Sequence, residues 1–319
     1  MRLVSFSEPV ETTTRTGVVL GEEIVDLTDV AVGLPADMAS LLALGPDALV
    51  GAARAGNGRA RRLALEAVSL LAPVPFPPKV LGIGMNYAAH VAELGKDRPD
   101  YQLWFNKQRT CIIGPGAPIV LPRPEVSEQV DYEGELAMVI GRRCRDVPED
   151  RALEVVAGWT ILNDVSVRDW QWRTPTFTLG KSFDSHGPTG PWLVTTDEIF
   201  NAQDLRIRTW VGDQLRQDSS TADMIFNCRE MIAYLSTAFT LEPGDILATG
   251  TPAGVGAGFD PPRWLRAGDV VRIEVQDIGM LENPVVESRP VATGIDSADP
   301  IDSVSRPGPR DPSALSITD

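Results

Sequence analysis

Positive charge is in short supply in this chain. Its 319 residues hold 29 Lys and Arg against 44 Asp and Glu, a formal net charge of -15. That balance argues against nucleic acid and against anionic membrane surfaces as partners. It does not argue against a small acidic substrate, because local cations or a metal decide that. Cysteine is scarce too. Cys111, Cys144 and Cys228 lack metal-ligand spacing, and an odd count speaks for reduced thiols and a cytoplasmic location. No apolar run is long enough to span a bilayer. The opening residues, Met1 to Phe6, read as a strand and not as a signal peptide. Histidine occurs only twice, at His90 and His186, so imidazole chemistry has two candidates. What remains is ordinary for a globular chain, 43% hydrophobic and 23% charged, and long enough for one large core or two modest ones.

The chain reads as three parts. Residues 1–72 suggest a small leading domain, with a hairpin around Gly21 and helical patterns at 38–44 and 60–71. The run 72–78 contains four prolines and reads as a linker into a larger unit, residues 73–290. There, short apolar runs alternate with Gly and Pro turns, as in a mostly β domain. Strands are expected at 79–83, 119–121, 136–140, 190–194, 246–249 and 270–275, and helices at 87–94 and 229–239. Residues 291–319 are rich in Ser, Pro, Asp and Gly and read as a flexible tail.

Three carboxylates carry the strongest chemical signal. Glu133 and Glu135 are two apart at the head of an apolar run, so a strand sends both to one side. Asp164 ends a second apolar run and can complete an oxygen cluster suited to a hard cation. A solvated strand edge is the plain alternative. His90 and Glu93 are i and i+3, so a helix sets them on one face as a base pair for drawing a proton from water. An isolated pair of this kind is more often a helix-surface contact. Arg168 offers a fork for a carboxylate, Gln171 lies three residues on, and Lys181 can steady an oxyanion. The small-residue loop around Gly250 and Thr251 can bind an anion through its N–H groups, or be an ordinary turn.

Together these segments resemble the fumarylacetoacetate hydrolase family. The segments are 84–93 (GMNYAAHVAE), 131–135 (DYEGE), 163–171 (NDVSVRDWQ), 181–184 (KSFD) and 250–252 (GTP), in matching order and spacing from 79 to about 289. The resemblance implies an α+β fold, a mixed β-roll with a small α/β leading domain, and a homodimer. It implies Mg²⁺ or Mn²⁺ on Glu133, Glu135 and Asp164. It makes His90, Glu93 and Lys181 catalytic and places Tyr87, Arg168, Gln171, Gly250 and Thr251 around a small keto acid. The expected activity is hydrolysis of a C–C bond in a 2,4-dioxo acid, an acylpyruvate or fumarylpyruvate, through a pyruvate enolate. An oxaloacetate-type decarboxylase, a 2-hydroxy-diene-dioate isomerase and a catalytically silent binding protein are the alternatives. Residues 94–107 are expected to close as a lid. His186 departs from the family pattern, where a larger apolar residue is expected.

Overall fold

The computed structural model describes residues 1–288, apart from 10, 30, 31, 56, 57 and 59. The tail expected from 291 lies outside these. Two sheets dominate, with few helices, so the fold is α+β. The larger sheet has 12 strands. Its centre runs Gly187–Thr195, Val156–Asn163, Gly134–Ile140, Ile246–Ala248, Val80–Gly84 and Leu103–Lys107. The smaller sheet has five, ordered Gln214–Ser220, Arg206–Val211, Val270–Val275, Gly279–Val286 and Ile119–Val120.

Burial explains the strand sequences. Gly134–Ile140 and Val156–Asn163 are buried at every position, which is why they read as continuous apolar runs. Val270–Val275 is buried at alternate positions, because one face meets the core and the other solvent. Leu136, Met138, Trp159, Ile161, Ile207 and Ile273 belong to one core between the sheets. The helix Cys228–Ala238 starts on a reciprocal Asn227–Glu230 cap and buries Met231, Ile232 and Leu235 against that core.

The leading residues join the large sheet directly. Arg2–Glu8 pairs with Gly187–Thr195, setting Arg2 opposite Val194 and Leu3 opposite Leu193. The hairpin at Gly21 forms between Glu11–Leu20 and Glu23–Asp26. Helices occur at Met38–Ala43 and Ala88–Glu93, as expected.

Two expectations fail. Residues 60–71 are not a helix. They form strands Arg62–Ala64 and Ser69–Leu70 around a tight Leu65–Ala67 turn. Strand pairing at both ends, and packing of Leu63, Leu65, Val68 and Leu70 on Val4, Phe6 and Ile24, outweigh local helix propensity. Nor is 94–107 a lid along its whole length. Leu103–Lys107 is a strand paired with Val80–Gly84, and its Lys107 reaches the acidic cluster. Among the described residues, no helix is long and apolar enough to cross a membrane.

Candidate active site

Strand register assembles the three carboxylates. Gly134 pairs with Asn163, so Glu133 and Asp164 face each other just beyond that pair, and the Asp164 N–H donates to the Glu133 carbonyl at 2.9 Å. Glu135 is one residue into its strand. One oxygen from each of Glu133, Glu135 and Asp164 lies within 4.8 Å of the others, and all three residues are buried.

Three cations hold this charge. Lys181 Nζ donates to Glu133 Oε2 and Asp164 Oδ2, each at 2.7 Å. Lys107 Nζ donates to Asp164 Oδ1 at 2.6 Å and to the Lys181 carbonyl. Arg168 spans Asp131 at 2.8 Å and Glu133 at 2.6 Å, while its Nη1 also donates to Gln171 Oε1 at 2.9 Å. Burial alone would raise the Glu133 carboxyl, but Lys181 and Arg168 outweigh it and pull Glu133 down to about 2. Glu135 has no ion-pair partner among the described residues. Burial first, then the charges of Asp164 and Glu133, push it well above the usual carboxylate range. Burial disfavours the charged form of Lys181, yet Asp164 and Glu133 prevail and raise it, so it stays an ammonium.

His90 and Glu93 also meet. His90 Nδ1 lies 3.0 Å from Glu93 Oε2, and the Gly254 N–H donates to Glu93 Oε1 at 2.8 Å. A Cβ at Gly258 would strike the same carboxyl, so glycine there leaves Glu93 its room. Tyr87 is fully buried, and its hydroxyl has no partner among the described residues.

The glycine loop is an anion cradle, but the anions it holds are the protein's own. Gly250 N–H donates to Glu135 at 2.7 Å, and Gly254 serves Glu93. Gly256 and Ala257 donate to Asp131 at 2.7 and 2.9 Å. Thr251 gives its hydroxyl proton to the Gly134 carbonyl at 2.9 Å. Arg168 likewise spends its fork on Asp131 and Glu133.

Three further residues join the site that sequence reasoning did not single out. Asp131 anchors Arg168 and the loop, and stood unassigned in the same acidic motif. Lys107 was expected only as the last residue of the lid segment 94–107, and its strand position emerges from the fold. Gln217, from the other sheet, donates to Thr251 Oγ1 and the Pro252 carbonyl at 2.8 Å each and accepts from Gly134 N–H at 3.0 Å. Nothing local marks that glutamine. His186 is fully buried, stacked on Phe183, with Nε2 3.0 Å from the Val120 carbonyl.

Residues 79–286 match the family described as fumarylacetoacetate (FAA) hydrolase, C-terminal. The chain belongs to this family. An oxaloacetate tautomerase, fahd2, of Xenopus laevis mitochondria is 42% identical over 290 residues, 90% of each chain. The oxaloacetate tautomerase YisK of Bacillus subtilis is 45% identical over 224 residues, covering 69% of this chain and 74% of its own. The crystal structure of maleylpyruvate hydrolase from Sphingobium sp. SYK-6, in complex with manganese(II) and pyruvate, superposes with a TM-score of 0.76. It is 35% identical, covering 91% of this chain and 100% of its own.

The donor set fits a divalent cation. Three hard oxygen donors converge in a buried place, and Glu135 there is destabilised as an anion until a positive charge arrives.

Proposed function

We propose that this chain is a metal-dependent enzyme that enolises a 2-oxo acid, and that its reaction is keto–enol tautomerisation of a dicarboxylic 2-oxo acid such as oxaloacetate. One observation carries the reading: a buried carboxylate triad, two of whose members, Glu133 and Asp164, are bridged by the Lys181 ammonium, in the same site as the His90–Glu93 pair. Close sequence relatives named for oxaloacetate tautomerisation support that choice of substrate.

Glu133, Glu135 and Asp164 would hold Mg²⁺ or Mn²⁺, which supplies Lewis acidity toward the oxygens of an α-keto acid. The protein groups do the rest. Glu93 holds His90 through Nδ1, so Nε2 is the nitrogen left to take a proton from C3. Lys181 keeps a permanent positive charge where negative charge collects on oxygen. His90 then returns the proton to that oxygen, giving the enol. The reverse sequence gives the keto form.

A second reading is C–C hydrolysis of an acylpyruvate. It is favoured by the same histidine, held by a carboxylate that a backbone N–H itself fixes, which is the arrangement a water-activating base requires. One experiment separates the two. The enol absorbance of oxaloacetate and pyruvate release from acylpyruvates are followed with Mg²⁺, with Mn²⁺ and with chelator. Metal-dependent acceleration of enol–keto exchange is expected, slowed roughly 10²–10⁴-fold in His90→Ala. Unchanged exchange, with rapid cleavage of an acylpyruvate, would favour the hydrolase. Neither activity with either metal would refute both.

A further inference from the structure

Away from the carboxylate triad, an open cavity of about 500 Å³ lies between the turn at 212–213 and the segment 262–266. Three arginines line it, Arg216, Arg263 and Arg266, together with Trp264, Asp213 and Asp269. The chain has many more acids than bases, and several of its surface arginines are paired with acids, such as Arg206 with Asp218 and Arg208 with Glu274. Among the described residues, none of the three cavity arginines has an ion-pair partner. Asp269 spends one oxygen on the Arg266 backbone N–H at 2.8 Å.

Arg216 stands out further. Its guanidinium lies 5.2 Å from the Phe259 ring centre, and that of Arg263 lies 4.3 Å from the same ring. Two like charges thus lie near one aromatic ring, and neither has an ion-pair partner among the described residues. Nε and Nη1 of Arg216 are buried and have no hydrogen-bond acceptor among the described residues. Donors of this kind are costly, because burial has removed water and a ring face returns less than a hydrogen-bond acceptor would. Paired arginine forks are the standard recognition element for planar and tetrahedral oxyanions.

We propose that this cavity binds a small oxyanion, a carboxylate or phosphate group, gripped by Arg216 and Arg263. The position ties it to the active site. Arg216 backbone abuts Gly254, whose N–H holds Glu93, and a Cβ at Gly254 would collide with the Arg216 carbonyl. The next residue, Gln217, braces Thr251 and Gly134. An anion in the cavity is therefore held one residue from the brace that fixes the triad. This inference does not depend on which keto acid the enzyme takes.

The test is calorimetric titration of the full-length protein with Mg²⁺ present, using inorganic phosphate in one arm and malonate in the other. One anion per chain is expected. Replacing Arg216→Met or Arg263→Met weakens binding about 10–100-fold, the worth of a charge-assisted hydrogen bond. Arg263 is exposed, so its replacement keeps the test valid should Arg216→Met fail to fold. Asp164→Asn, which disables the metal triad, leaves the binding in place. Response to one titrant alone assigns the class as phosphate or carboxylate and supports the site. No saturable heat from either anion overturns it. So does binding that Asp164→Asn removes while both arginine variants retain it.

Discussion

Replacing Lys107 with Met tests the electrostatic argument of the site. Four carboxylates, Asp131, Glu133, Glu135 and Asp164, face three cations, Lys107, Arg168 and Lys181. With every group ionised the cluster carries one excess negative charge, which adds to burial in driving Glu135 toward its protonated form. Met keeps the volume of the lysine stem and removes the ammonium, so the excess becomes two. The Lys107 and Asp164 side chains are both fully buried, so solvent cannot compensate. Removing one partner of a buried pair costs about 3–5 kcal/mol, and Lys181 still serves Asp164, which places the loss near 3 kcal/mol. A bound divalent cation adds two positive charges at the same place and offsets much of that loss. Urea denaturation is run with excess chelator and again with saturating Mg²⁺. The variant should lose about 3 kcal/mol in chelator and gain more from Mg²⁺ than the wild type does. Equal stability in chelator, or a loss that Mg²⁺ leaves untouched, would refute the charge balance.

Chelation should abolish turnover, Mg²⁺ or Mn²⁺ should restore it, and Glu133→Gln should not be rescued by either; full activity in metal-free protein would end the metal assignment. Gly258→Ala drives a methyl into the Glu93 carboxyl and should cut kcat roughly 10²-fold with the fold intact by circular dichroism, whereas wild-type rates would show that Glu93 needs no such room. His186 is held neutral by burial, its pKa lowered from 6.5 to about 3. Below pH 6.5 the unfolded chain takes up a proton that the folded chain refuses until about pH 3, so stability falls as pH falls through that window. Between pH 7 and pH 5 this group alone costs about 2 kcal/mol, and His186→Phe should flatten the urea-derived stability profile by that amount. An unchanged slope would mean that His186 reaches solvent.

Much of this was legible in the sequence because it rests on local spacing. A two-residue step at the head of a strand puts Glu133 and Glu135 together, and a three-residue step on a helix joins His90 to Glu93. The acidic motif and the ordered segments around it indicated the family before any contact was known. Fully buried central strands announced themselves as apolar runs. Pattern failed where pairing partners, and not propensity, chose the structure. Residues 60–71 have a helical spacing of apolar positions, yet two existing strand edges and a cluster around Phe6 claimed them.

Tertiary structure alone decided how the charges are shared. Sequence offered Arg168, Gly250 and Thr251 as groups free to meet a ligand. The folded chain turns all three inward, onto Asp131, Glu133, Glu135 and Gly134. Lys107 enters the cluster because an antiparallel pairing brings the Leu103–Lys107 strand alongside, and Gln217 because a second sheet packs across Gly134. A buried ion must be compensated wherever it lies, and the groups that compensate it come from far along the chain. Spacing fixes which residues share a face. Only packing fixes which of them are already spoken for.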